Sequence, residues 1–162
     1  MPSRAPAPPP SDSILSARHP ARRSVELWLV VSAIARSPAT IRHELREWLT
    51  GLHWPQEECA DIVLAVDAAI SNVVEHAYPP DGPAGDARLY AWEVLDHQFG
   101  ERRVVTVITD SGRWKPTATD PGFRGRGLAM MAGCMGSLQI ESTPAGTTVI
   151  MTSVAVEIDN HR

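Results

Sequence analysis

The stretch from Leu64 to Tyr78 constrains the fold more than any other part of the chain, because it combines a helical apolar stripe with polar residues. Apolar residues recur at spacings of four, three and four, which predicts one helix from about Gln56 to His76. They are Ile62, Val66, Ala69 and Val73. A helix turns by about 100° per residue, so Asn72 lies about 40° from both Ala68 and His76 and shares an edge with them. A structural helix gains nothing from an amide there, which indicates a site, although Asn72 or His76 taken alone fits a solvated surface residue better.

A strand and a first helix precede this region. The run from Ser24 to Ser32 is short, β-branched and aromatic, which favours a strand. Ser37-Pro38 then predicts a helix start, because proline at the first helical position loses no hydrogen bond. The apolar residues of this helix share one face and are Ile41, Leu45, Trp48, Leu49 and Leu52. Trp54-Pro55 separates it from the second helix.

Two strands are predicted downstream of the second helix. Turn-forming residues fill 79–86, and extended runs follow at Ala87–Asp96 and Arg103–Thr109. The second run is almost wholly apolar and is therefore predicted to be a central strand. It ends on Asp110-Ser111-Gly112.

A loop from Arg113 then reaches Gly125-Arg126-Gly127-Leu128 and opens a short helix to Met135. Glycines allow close approach to a ligand, and a helix start presents free N–H groups to an anion; a lone Gly-x-Gly also suits an ordinary loop. A final hairpin is predicted from Leu138–Ser142 and Thr147–Val156. The helices lie between groups of neighbouring strands, so we predict an α+β fold: a two-layer sandwich with a mixed, mostly antiparallel sheet covered on one face by helices.

Composition limits the classes of function. The 162 residues suit one folded domain, which we place at 24–157, between a disordered tail at 1–23 and a frayed tail at 158–162. The formal net charge of −4 offers no broad cationic surface, so nucleic acid is not an expected partner. Only two cysteines are present, and neither a signal peptide nor a membrane span is evident, so a cytoplasmic protein with free thiols is expected.

Four separated motifs resemble, in order, those of the GHKL (Bergerat-type) ATPase superfamily, and more narrowly the bacterial anti-sigma-factor serine/threonine kinases (RsbW/SpoIIAB-like) of partner-switching systems. The segment 72–78, Asn-Val-Val-Glu-His-Ala-Tyr, resembles the N box, and Asp110-Ser111-Gly112 resembles the first glycine box. Gly125-Arg126-Gly127-Leu128 resembles the second glycine box, and the segment 146–149 resembles the closing Gly-Thr motif. The resemblance covers 24–156, essentially the whole predicted domain.

The resemblance implies ATP and Mg²⁺ as cofactors. Asn72 takes the position of the magnesium ligand, a role that suits a hard, neutral amide oxygen. Asp110 takes the position of the carboxylate that accepts the adenine amino group. Thr147 or Thr148 is expected to place a hydroxyl near the adenine, with Thr148 preferred. The other expected nucleotide-binding residues are His76, Gly112, Arg124, Gly125, Arg126, Gly127 and Leu128.

One position departs from the family pattern. The general-base glutamate expected four residues before Asn72 is Ala68 here. Asp67 is a weak substitute, because five residues along a helix turn it about 140° from Asn72. General bases contribute about 10²- to 10⁴-fold to a rate, so ATP binding is expected to survive this loss better than phosphoryl transfer.

Two functions stay open from the sequence. In the first, the protein is an anti-sigma regulator that binds Mg-ATP and phosphorylates a serine of a STAS-domain anti-sigma-factor antagonist. In the second, it is a catalytically inactive nucleotide-binding module that sequesters a sigma factor or antagonist. The resemblance also implies a homodimer through Ser24–Leu52, where apolar residues are equally compatible with a core.

Overall fold

The computed structural model describes residues 25–113 and 124–158, with the backbone alone at 124–126. The elements in chain order are β1 (Leu27–Ser32), α1 (Ser37–Gly51), α2 (Gln56–Asn72), a π-helical turn (Val73–Ala77), β2 (Asp86–Asp96), β3 (Glu101–Asp110), α3 (Arg124–Cys134), β4 (Ser137–Thr143), β5 (Gly146–Thr152) and β6 (Val156–Glu157). The predicted tail at 1–23, residues 159–162 and the loop at 114–123 lie outside the described residues.

The sheet has the order β1-β2-β3-β5-β4, and β6 extends it by pairing with the start of β3. Every described strand pair is antiparallel. Side chains alternate along the strands, so Leu89, Ile108 and Met151 face the helices and are fully buried. These side chains form one core with the apolar faces of α1 and α2. The predicted α+β sandwich with a central β3 is therefore confirmed.

The second predicted helix does not continue regularly to His76. The α-helix ends at Asn72, and Val73–Ala77 form the π-helical turn. The Val73 N–H still donates to the Ala69 carbonyl, four residues back, and also to the Ile70 carbonyl, so the α-helical bonding persists up to the start of the π-helical turn. Such turns contain an extra residue and are frequent at functional sites.

The predicted last strand is also interrupted. β5 ends at Thr152, because Ser153 turns its hydroxyl onto the sheet and accepts the Val104 N–H at 3.0 Å. The Ser153 N–H donates in turn to the Val104 carbonyl at 2.8 Å. The chain rejoins β3 only at β6, and the Ile158 N–H bonds the Gly100 carbonyl at 2.8 Å.

A buried guanidinium fixes the turn between α1 and α2. Arg102 is 4% exposed and donates to the Leu52 and His53 carbonyls, each at 2.9 Å. It also pairs with the Glu93 carboxylate at 3.1 Å and stacks 4.6 Å from the centre of the Trp54 ring. Through these contacts Arg102 holds the start of α2 against the sheet. Removing Arg102 or Glu93 alone would leave the other charge buried and unpaired, at a cost in stability.

Among the described residues, none of the helices combines the length and apolarity needed to cross a bilayer.

Candidate functional site

A cavity of about 520 Å³ lies between α2, the π-helical turn, α3 and the helix-facing side of β3, β4 and β5. Ligand pockets usually fall between about 300 and 1,000 Å³. Of the residues singled out in the sequence, the lining includes Asp67, Ala68, Asn72, His76, Asp110, Gly127, Leu128 and Thr147. Gly112 and Thr148 are absent from the lining, and the side chains of Arg124 and Arg126 lie outside the described structure. One cavity thus brings together residues from all four separated motifs.

At one end of the cavity, Asp110 closes β3. Its Oδ1 accepts the Gly112 N–H at 2.8 Å, and its carboxylate also accepts the Thr147 N–H. The side chain is buried, and this burial raises its pKa above the ordinary 3.8, while the two backbone N–H groups act in the opposite direction. Asp110 is therefore a fixed, partly desolvated acceptor.

Two glycines, Gly112 and Gly146, allow the backbone to pack closely around Asp110. We call the part of the site formed by Asp110, Gly112, Gly146 and Thr147 the closed end. A Cβ on Gly112 would lie 2.1 Å from the Ala77 carbonyl oxygen, and one on Gly146 would lie 2.0 Å from the Asp110 carbonyl oxygen. Gly146 also has φ of 144°, which favours glycine. The space at Gly112 admits the end of the π-helical turn, whose Ala77 carbonyl accepts the Arg113 N–H at 2.9 Å.

Tyr78 supports the closed end from behind. Its hydroxyl accepts the Ser111 N–H at 3.1 Å and donates to the Asp86 carbonyl at 2.8 Å. A Cβ on Gly85 would lie 2.0 Å from the Tyr78 ring. The last residue of the N-box segment therefore joins the loop after β3 to the start of β2.

The cavity lining favours Thr147 over Thr148, which the sequence analysis preferred. Thr147 and Val149 line the cavity, whereas Thr148 does not, because neighbouring residues of a strand face opposite sides. The Thr147 Oγ1 is fully buried and has no hydrogen-bond partner among the described residues. This leaves one unused hydroxyl beside Asp110.

Apolar residues form a further part of the cavity wall. Met130 and Met131 of α3, Ile140 of β4 and Val149 of β5 line the cavity. None of these four residues was singled out from the sequence as a site residue, and only the alternation along β4 and β5 could have indicated which strand residues face α3.

The opposite part of the cavity, formed by Asp67, Asn72, Glu75, His76 and Gly127, is more exposed, and we call it the open end. A Cβ on Gly127 would lie 3.7 Å from Nδ2 and 3.8 Å from Oδ1 of Asn72, so the Asn72 amide faces the first turn of α3. Glu75 was not singled out in the sequence, yet it lines the cavity with a side chain 65% exposed. Its Oε2 lies 3.6 Å from the His76 Nε2.

Asp67 was expected to point away from the site, but it lines the rim of the open end. Its Oδ1 accepts a hydrogen bond from the Arg42 guanidinium of α1 at 2.6 Å. Ala68 lies beside it, buried and also facing the cavity. The cavity therefore contains the methyl group of Ala68 where the resembling kinases have a carboxylate.

The donor set suits a nucleotide with a divalent cation. At the closed end, a carboxylate and an unused hydroxyl can recognise a planar base with both donor and acceptor edges. At the open end, amide and carboxylate oxygens are ligands that Mg²⁺ prefers, with the remaining ligands supplied by phosphates and water. Among the described residues, no group of three or more His, Cys, Asp or Glu side chains could hold a metal without such help.

Comparisons with known proteins bear on the family and the fold. A family model described as a histidine kinase-like ATPase domain matches residues 31–153. The crystal structure of the RsbU and RsbW domains of Rv1364c from Mycobacterium tuberculosis is similar with a TM-score of 0.62 and 26% identity, covering 83% of this chain and 34% of that chain. A histidine kinase domain from the blue-light activated histidine kinase of Erythrobacter litoralis EL346 matches with a TM-score of 0.46 and 18% identity, over 62% of this chain and 46% of that one.

Proposed function

This chain belongs to the histidine kinase-like ATPase domain family, as a GHKL ATPase of the RsbW type, and from this premise we propose that it is a cytoplasmic anti-sigma regulatory factor that binds Mg-ATP. It regulates a sigma factor by partner switching with a STAS-domain anti-sigma-factor antagonist. The observation that carries the proposal is a single cavity with a carboxylate acceptor at its closed end and an amide ligand at its open end.

The closed end selects the base. The Asp110 carboxylate accepts the adenine amino group, and the Thr147 hydroxyl meets the neighbouring edge of the ring. The ring stacks between the methionines of α3 and the apolar side chains of β4 and β5. Because backbone N–H groups already orient Asp110, little reorganisation accompanies binding.

The open end receives the phosphates. Asn72 is the magnesium ligand, and bound Mg²⁺ supplies positive charge to the phosphate oxygens. The first turn of α3 lies beside the Asn72 amide, and the free N–H groups of a helix start suit an anion. By the family resemblance, Arg124 and Arg126 would contact the phosphates, and Gly125 and Gly127 would allow the backbone to approach them closely, while Leu128 lines the cavity.

Serine phosphorylation of the antagonist is the finer part of the proposal. Ala68 offers no proton acceptor, and Asp67 is engaged by Arg42. Phosphoryl transfer therefore depends on positioning and on the cation alone, and is slow. The alternative is an inactive module that sequesters its partner through the ATP-bound form without phosphorylating it, and the arrangement of Asp67 and Ala68 favours this alternative.

A homodimer through 24–52 is also proposed. Ile41, Leu45 and Leu49 of α1 are fully buried in the core, so α1 has no spare apolar face. On β1, by contrast, Trp28 is 37% exposed and Val30 is 49% exposed. We therefore place the proposed dimer contact on the face of β1 that is turned away from the helices, where these two side chains lie.

Calorimetry tests the nucleotide-binding core of the proposal. We expect Mg-ATP to bind the wild type, and Asp110→Asn to weaken binding by about 10- to 100-fold, because a charge-assisted hydrogen bond is lost. Glu141→Gln, on β4 outside the cavity, is the control. No binding by the wild type, or equal binding by Asp110→Asn, contradicts the assignment.

A further inference from the structure

Three carboxylates line the described part of the cavity, and they differ in the hydrogen-bond and ion-pair partners that they already have. They are Asp67, Glu75 and Asp110. No lysine or arginine is among the described lining residues. A polyphosphate entering this cavity would therefore meet negative charge. Each carboxylate makes the free energy of binding less favourable unless a cation accompanies the ligand.

Two of the three are already engaged. Asp110 accepts backbone N–H groups from Gly112 and Thr147 at the closed end. Asp67 accepts the Arg42 guanidinium at 2.6 Å on the rim. A carboxylate held in this way can still accept a further N–H donor, such as the adenine amino group at Asp110, but it is less available as a metal ligand than a carboxylate with no close partner.

Glu75 is the carboxylate without such a partner. Its one described contact, to the His76 Nε2, is 3.6 Å long, which is beyond hydrogen-bonding distance. The residue lies in the π-helical turn, three positions after Asn72, and both side chains line the same cavity. An amide ligand and an unengaged carboxylate therefore lie within one turn of each other on one wall.

We propose that Glu75 is a second protein ligand, besides Asn72, of the magnesium ion that enters with the nucleotide. Protein Mg²⁺ sites usually combine one or two carboxylates with substrate phosphates and water, and Asn72 alone provides no carboxylate. The inference rests on the proposed function, because the ion is bound here together with ATP. It also explains a carboxylate at a phosphate-binding end that would otherwise repel the ligand.

The test is the magnesium dependence of ATP binding, defined as the Kd for ATP in EDTA divided by the Kd in Mg²⁺. Calorimetry gives this ratio for the wild type, Glu75→Gln and Glu57→Gln. Glu57 is an exposed residue in the first turn of α2, outside the cavity, so its variant has the same charge change without the ligand change. Glu75 is largely exposed, so Glu75→Gln is expected to fold, and its melting temperature verifies this.

We expect the ratio of Glu75→Gln to fall by about tenfold, because removing the carboxylate weakens the metal complex and relieves repulsion of metal-free ATP. Glu57→Gln should keep the wild-type ratio. Titration of Mn²⁺ into the ATP complex, followed by electron paramagnetic resonance, should show a similar loss of Mn²⁺ affinity in Glu75→Gln alone.

The outcomes separate this inference from the proposed function. If the wild type binds no ATP under either condition, the proposed function fails. If the wild type binds Mg-ATP but the ratio of Glu75→Gln stays within about threefold of it, only the role of Glu75 is overturned. An equal fall in Glu57→Gln would also overturn it, since the effect would then be one of general charge.

Discussion

The two ends of the cavity are built by different parts of the chain. At the closed end, backbone N–H groups orient Asp110, and backbone atoms leave no space for a side chain at Gly112 or Gly146. At the open end, the chemistry depends on side chains such as Asn72 and Glu75, which line a more exposed wall. Position 68, where a base is expected from the family pattern, is alanine.

This difference affects how substitutions could remove the two proposed activities, nucleotide binding and phosphoryl transfer. Backbone contacts at the closed end are part of the fold, so substitutions there cost stability before they alter recognition. Side chains at the open end can change at little cost to the fold. A chain of this kind can therefore keep nucleotide binding while losing phosphoryl transfer.

The largest expected effect is at the closed end. Gly112→Ala should destabilise the protein by about 3 kcal/mol or more, because the new Cβ meets backbone rather than a movable side chain. Urea unfolding measures the loss. Gly133→Ala is the matched control, since nothing lies within 4 Å of its Cβ position, and it should be neutral or stabilising by up to about 1 kcal/mol. Equal stability of the two variants would contradict the described packing.

The next effect concerns the open end. Ala68→Glu returns a carboxylate to the cavity and should raise phosphoryl transfer to a STAS-domain protein captured from native cells by about 10²-fold. Transfer of labelled phosphate measures it, with Ala68→Gln as the uncharged control of equal size. Rapid transfer by the wild type, or no gain with glutamate over glutamine, would break the proposed separation of binding from catalysis.

A smaller effect follows from the burial of Asp110. Because burial raises its pKa above 3.8, the folded state favours the protonated form, and ionisation costs stability as the pH rises through the folded-state pKa. The free energy of unfolding of the wild type, relative to Asp110→Asn, should therefore be greater near pH 4 than near pH 7. Denaturant titrations at the two pH values measure the difference, and a difference of opposite sign would mean that the backbone N–H groups outweigh burial.

The smallest effect is expected for the rim pair. Asp67→Asn should cost less than about 1 kcal/mol of stability, because Arg42 and Asp67 are both partly exposed. Thermal unfolding measures this, and phosphoryl transfer by the same variant should be unchanged. A fall in transfer of tenfold or more would instead identify Asp67 as the base.

Much of the fold was predictable because its signals are local. The apolar spacing of α1 and α2, the apolar run of β3 and the turn-forming residues predict most of the helices and strands. They also show on which elements the motifs with Asn72 and Asp110 lie. The missed features depend on contacts between distant residues. The hydrogen bond between the Ser153 hydroxyl and the Val104 N–H ends β5, and the turn between α1 and α2 buries Arg102. The same holds for the site, since the choice of Thr147 over Thr148 follows from the register of β5, and Glu75 faces the cavity from the π-helical turn.

The most direct test of the central claim, that the closed end is already built for adenine, is calorimetric titration of the wild type with ATP and with GTP in Mg²⁺. Asp110 can accept the amino group of adenine but would face the carbonyl oxygen of guanine, so we expect ATP to bind at least about 100-fold more tightly. Equal affinity for the two nucleotides, or binding of neither, would contradict the account.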